Sequence, residues 1–130
     1  MNMMKVLMAD DDADILRLVS QKVKEEGYEV ICAKDGEEAW QKIQAENPDI
    51  VVLDLSMPKM HGFEVLKALR ENPPSQKWLP VIICSGEQEL GITKKGFELE
   101  ADHYVRKPCS YHEVIKAVKL MGSLIPQQDS

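Results

Sequence analysis

The chain is poor in aromatic residues, at 5%, and its three cysteines are odd in number and widely spaced. Cys32, Cys84 and Cys109 therefore make neither a disulfide framework nor a CxxC zinc site. Two of them fall in apolar strand-like runs, where a free cysteine behaves as a small hydrophobe. No apolar stretch approaches the ~20 residues that cross a bilayer. Positive charge is also short, with 16 Lys and Arg against 22 Asp and Glu and a net charge of -6. That balance argues against non-specific binding to nucleic acid or to an anionic membrane surface. The N-terminus lacks a signal-peptide pattern, because Lys5 begins a strand and acids follow closely. No repeat, linker or second domain is visible. A reduced, cytoplasmic, soluble single domain is the expectation, and 130 residues suffice for a sizeable core.

What the chain does have is a concentration of acid. Asp10, Asp11 and Asp12 follow the apolar run Val6-Leu7-Met8-Ala9, and Asp14 comes soon after. A short apolar run of this kind reads as a buried strand, so the acids stand where it emerges. Like charges 4 Å apart repel by roughly 4 kcal/mol at an effective dielectric near 20. Helix capping accounts for Asp12 and Asp14, since Asp is favoured at N-caps and in first turns. Asp10 and Asp11 exceed that need and point to a divalent cation.

Apolar runs and helical periods alternate five times. Strands are predicted over residues 5–9, 28–33, 50–53, 80–84 and 103–106. Between them, Ile15, Val19 and Val23 mark one helical face, ended by Gly27 as a C′ residue. Asp35 and Gly36 turn the chain into a helix carrying Ala39, Trp40 and Ile43, which Asn47-Pro48 stops. From Gly62 a third helix presents Val65, Leu66 and Leu69 until Asn72-Pro73-Pro74. Residues 87–99 are helical by position but carry Gly91 and Gly96, each costing about 1 kcal/mol relative to Ala. Residues 111–121 form the last helix, with Val114, Ile115 and Val118 inward, and 126–130 a short flexible tail.

Alternating strands and helices imply right-handed βαβ units and a parallel sheet covered on both faces. The expected fold is a flavodoxin-like, doubly wound (βα)5 unit over residues 1–125 with strand order 2-1-3-4-5. Ligands of such sheets bind at the carboxyl ends of the strands, at the switch point between the first and third. Strand three ends in Asp54, strand four in Ser85 and strand five just before Lys107. Each alone has a dull explanation, as a turn cap, a helix cap or a solvated lysine. Together with Asp10 and Asp11 they bring carboxylates, a hydroxyl and an ammonium to one rim.

Hard oxygen ligands suit Mg²⁺, and no His or Cys cluster invites zinc. A carboxylate-held Mg²⁺ neutralises phosphoryl oxygens, and a central carboxylate is a nucleophile that can become an aspartyl phosphate. Asp54 is the candidate for that role.

The strings VLMADDDADI, IVVLDLSMPKMHGFEVL, VIICSG and DHYVRKPC resemble, in order and spacing, the signature stretches of response-regulator (CheY-like) receiver domains of two-component systems. The resemblance spans essentially the whole chain. It implies that Asp54 is the phosphoacceptor, that Asp11 binds Mg²⁺ (or Mn²⁺) directly and Asp10 mainly through water, and that the Ser56 main-chain carbonyl is a further ligand. It puts Ser85 at the switch hydroxyl, Lys107 at the invariant lysine, followed by Pro108, and Tyr104 at the aromatic switch. A half-buried strand aromatic is the plain reading of Tyr104. The implied partners are a histidine kinase or phosphotransfer protein upstream and an unidentified protein downstream, with self-association as another output.

Departures from the pattern are Asp12, Cys109 after Lys107-Pro108, the missing Gly in LEADHY, and His61 before Gly62, read as an exposed loop residue. Three rivals differ in chemistry. A haloacid-dehalogenase-type phosphatase needs a second Asp where Ser56 stands. A nucleotide- or flavin-binding protein needs a phosphate loop where the acids stand. A degenerate receiver would act as an interaction module without phosphate, although every chemical group for phosphorylation is present. With no DNA-binding or enzymatic domain among these residues, the chain is expected to act by direct contact or as part of a longer protein.

Overall fold

A computed structural model describes residues 3–85, 101–106 and 110–126. In chain order the elements are β1 (Lys5–Ala9), α1 (Ala13–Glu25), β2 (Glu29–Ala33), α2 (Gly36–Glu46), β3 (Ile50–Asp54), α3 (Gly62–Glu71), β4 (Val81–Ser85), β5 (His103–Arg106) and α4 (Tyr111–Leu124). The sequence-predicted helix over 87–99 lies outside the described residues, as does most of the tail.

Helix boundaries follow local chemistry. Asp12 caps α1, its carboxylate accepting from Asp14 N at 3.0 Å and Ile15 N at 3.2 Å. Gly27 closes that helix at φ 97°, a conformation open to glycine at no steric cost. Asn47 does the same for α2 at φ 48°, a left-handed position that Asn tolerates.

All five strands are parallel, in the order β2-β1-β3-β4-β5. Every residue of β3 is buried, which is why its sequence is aliphatic rather than alternating. Two cores result. One packs Leu7, Val51, Leu53 and Ile83 against Ile43, Val65, Leu66 and Leu69 of α2 and α3. The other packs Val6, Met8, Val52 and Ile82 against α1 and α4.

One detail differs from the periodicity reading. In α1 the fully inward residues are Leu16, Ser20 and Val23, while Ile15 is 44% exposed. The Asp12 cap sets the phase, and Ile15 falls on the first turn, at the mouth of a cavity it shares with Met8 and Val52. In α4, Val114 and Val118 are buried and Ile115 partly so.

Candidate functional site at the carboxyl ends of the strands

β1 and β3 are neighbours, with Ala9 opposite Leu53, so both chains leave the sheet side by side. Asp10 and Asp11 emerge from β1, and Asp54 is the last residue of β3. One carboxylate oxygen from each lies within 4.8 Å of the others. Asp54 is 5% exposed, Asp10 intermediate and Asp11 open to solvent. Asp10 is oriented by the start of α1, its Oδ1 accepting from Asp12 N at 2.9 Å. Asp12 is not a member of that cluster and caps α1. Asp14 pairs with Arg17 at 2.9 Å on the surface.

Beneath the acids is a cavity of about 50 Å³ lined by Met8, Leu16, Val19, Val52, Cys84 and Val114, with Asp10 and Asp54 at its edge. This apolar floor lowers the local dielectric, which strengthens both the repulsion among the acids and their attraction for a cation.

The donor set fits Mg²⁺. Three carboxylate oxygens within 4.8 Å of one another are hard donors of the kind Mg²⁺ takes, with water completing its shell.

Asp54 Cα pairs with Cys84, so Ser85 stands one position further out on the adjacent strand, opposite Arg106 of β5. Lys107 lies outside the described residues. Tyr104, opposite Ile83, is half-buried against the α2–α3 core, and burial pushes its hydroxyl pKa up. Ser56 is exposed between buried Leu55 and Met57 on the loop after β3.

The structure gives two residues roles that the sequence reading did not assign them. His61 is no free loop residue: it caps α3. Its Nδ1 accepts from Phe63 N at 3.2 Å, and Glu64 Oε1 accepts from His61 N at 3.2 Å, which completes a capping box. The signal was present, because Glu64 stands three residues beyond His61 and two beyond Gly62.

Asp35, 6% exposed, caps α2 through Glu38 N at 2.8 Å and faces Lys59 Nζ at 3.6 Å. The Glu38 amide, and after it the Lys59 ammonium, hold its pKa below the ordinary value.

An open, doubly wound parallel sheet with an acidic pocket at its switch point is a CheY-like, flavodoxin-like architecture. The comparisons agree. The response regulator receiver domain model matches residues 6–119, and the chain belongs to that family of signalling domains. It is 40% identical over 115 residues to the alkaline phosphatase synthesis transcriptional regulatory protein PhoP of Bacillus subtilis, covering 88% of this chain and 47% of that protein. It is 39% identical over 113 residues to the probable transcriptional regulator ycf27 of Cyanophora paradoxa, covering 87% and 46% respectively. The chain thus spans about half the length of the curated relatives it matches. Among solved structures, the chemotaxis response regulator CheY4 of Vibrio cholerae superposes with a TM-score of 0.84 at 32% identity, over 92% of this chain and 99% of that one. The receiver domain of the Francisella response regulator 1452 gives 0.82 at 35% identity, over 92% and 96%.

Proposed function

We propose that residues 1–125 form a phosphoacceptor unit in which Asp54 takes a phosphoryl group from the phosphohistidine of a sensor kinase or phosphotransfer protein. The carrying observation is the convergence of Asp10, Asp11 and Asp54 at the ends of β1 and β3. An Asp54 oxygen attacks phosphorus as the bond to the donor imidazole nitrogen breaks, and that nitrogen takes a proton from solvent. Mg²⁺, or Mn²⁺ in its place, would neutralise charge on the phosphoryl oxygens when held by Asp10, Asp11, Asp54 and the Ser56 main-chain carbonyl. Burial of Asp54 beside an apolar cavity keeps the nucleophile poorly hydrated. Lys107 neutralises a further oxygen and Ser85 donates to another. Both assignments rest on the family pattern, and that of Ser85 also on its place at the end of β4.

The new charge draws Ser85 and Lys107 toward Asp54, and Tyr104 moves into the space that Ser85 leaves. The output face is then the one built from β5 and α4, together with the helix that the sequence reading expects over 87–99, which lies outside the described residues. It engages an unidentified protein or a second copy of the chain, without direct binding to nucleic acid. No helix among the described residues is long and apolar enough to cross a membrane. A cytoplasmic site of action follows from the two-component reading.

Acetyl phosphate labelling tests the acceptor. Wild type should label only with Mg²⁺ or Mn²⁺ present, and Asp54→Asn should not label, since an amide cannot replace the carboxylate nucleophile. Stoichiometric labelling of Asp54→Asn at another residue would sink the assignment.

A further inference from the structure

The loop between β3 and α3 is gripped on both flanks by glycines at which backbones touch. A Cβ on Gly62 would stand 2.7 Å from the Asp54 carbonyl oxygen and 2.9 Å from Leu55 Cα. On the other flank, a Cβ on Gly36 would stand 1.7 Å from the Met60 carbonyl oxygen and 2.6 Å from its carbonyl carbon. Gly36 N also donates to Pro58 O at 3.4 Å. Beside it, Asp35 Oδ2 faces Lys59 Nζ at 3.6 Å. Lys59 itself sits at φ 68°, a left-handed position unusual for lysine. The head of α2 therefore meets three consecutive loop residues through a hydrogen bond, a backbone contact and an ion pair.

Helix formation does not need this arrangement. The cap of α2 uses Asp35 Oδ1, which leaves Oδ2 to Lys59. Glycine is a poor helix former, yet only glycine lets the α2 backbone approach Met60 this closely. Inside the loop, the Leu55 carbonyl accepts from both Met57 N at 3.1 Å and Gly62 N at 3.0 Å, which folds it into a tight unit. Met60 N donates to Pro58 O at 2.7 Å, so Ser56 and the anchored residues 58–60 belong to one short, closed loop.

We propose that Asp35 and Gly36 are positioning residues for the Mg²⁺ site. They anchor residues 58–60 on α2 and so hold the Ser56 main-chain carbonyl toward the carboxylates of Asp10, Asp11 and Asp54. The inference rests on the metal reading above. Neither residue belongs to the ligand set, and their effect runs through the loop backbone.

Calorimetric titration with Mg²⁺ separates positioning from simple charge. Lys59→Asn is the discriminating variant, because Asn tolerates the left-handed turn while the ammonium is lost. Coulomb's law alone would make removal of a positive charge strengthen Mg²⁺ binding. Loss of the anchor should instead weaken it, by about two- to fivefold, the range of a partly exposed ion pair.

Asp35→Asn retains the helix cap and should show the same loss, with melting in EDTA within a few degrees of wild type. Gly36→Ala, which forces Met60 away, should weaken Mg²⁺ binding at least tenfold and shift the amide resonances of residues 56–60. Wild-type or tighter Mg²⁺ affinity in Lys59→Asn overturns the proposal, even where Gly36→Ala fails to fold. No Mg²⁺ binding by the wild type would instead overturn the metal reading, and the anchor's role with it.

Discussion

Removing one acid from the cluster should stabilise the metal-free protein, and Asp11→Ala is the cleanest case. Asp11 is the exposed member, caps no helix, and stands within 4.8 Å of ligand oxygens on both Asp10 and Asp54. At that separation each pair repels by about 0.9 kcal/mol at the dielectric of water and about 3.5 kcal/mol at an effective value of 20. Exposure of Asp11 puts its pairs toward the lower figure, and the unfolded chain keeps part of the repulsion between adjacent Asp10 and Asp11. A net gain of about 1–2 kcal/mol remains. With an unfolding entropy of about 2.1 cal/mol/K per residue over 130 residues, this raises Tm by about 4–7 °C in EDTA.

Excess Mg²⁺ should reverse the order. At a hundred times Kd the wild type gains about 2.7 kcal/mol, roughly 10 °C, while the variant gains much less. Differential scanning calorimetry in EDTA and then in Mg²⁺ reads both effects. A lower Tm for Asp11→Ala in EDTA would show that Asp11 supports the fold, and would refute the reasoning from crowded charge.

His61→Ala removes the α3 cap and should cost about 1 kcal/mol, whereas His61→Asp, a stronger cap at a helix N-terminus, should match or exceed wild type in urea denaturation. Asp102 accepts from Arg70 Nη2 and Val81 N, both at 2.8 Å, and from Trp78 Nε1 at 3.1 Å. Asp102→Ala removes three hydrogen bonds and the charge partner of a mostly buried guanidinium, which keeps its bond to Leu79 O at 2.9 Å, and should cost about 2–4 kcal/mol, with a change in Trp78 fluorescence; an unaltered denaturation midpoint would contradict this role. The pKa of Asp35 is lowered on folding, so its contribution is complete above its ordinary 3.8 and disappears as pH falls through the lower folded value. The stability gap between wild type and Asp35→Asn should therefore close on acidification below 3.8, and a gap that persists there would rule out the charge as its source. Beryllofluoride with Mg²⁺ should shift NMR resonances from the Asp54 rim to Tyr104 and Val105, and shifts confined to the rim would mark a phosphate sink with no switch.

The order of elements, the burial of β3 on both faces and the acids at the ends of β1 and β3 were legible in the sequence. The reason is that they rest on local rules. Periods of 2 and 3.6 report which face is covered, Gly27 and Asn47 stop helices through their own backbone preferences, and short parallel units leave few strand orders. Convergence of Asp10, Asp11 and Asp54 follows once β1 and β3 are neighbours. His61 was legible in principle, since a cap and its Glu64 partner lie within one turn, but histidine is not a usual cap and was passed over. The phase of α1, which exposes Ile15 and buries Leu16, was decided by where the Asp12 cap starts the helix against the sheet. The anchoring of residues 58–60 on Asp35 and Gly36, and the gathering of Arg70, Trp78 and Val81 on Asp102, were decided by tertiary structure alone. These contacts join residues distant in the chain through backbone approach and oriented hydrogen bonds, whose energies depend on sub-ångström distances that no periodicity encodes.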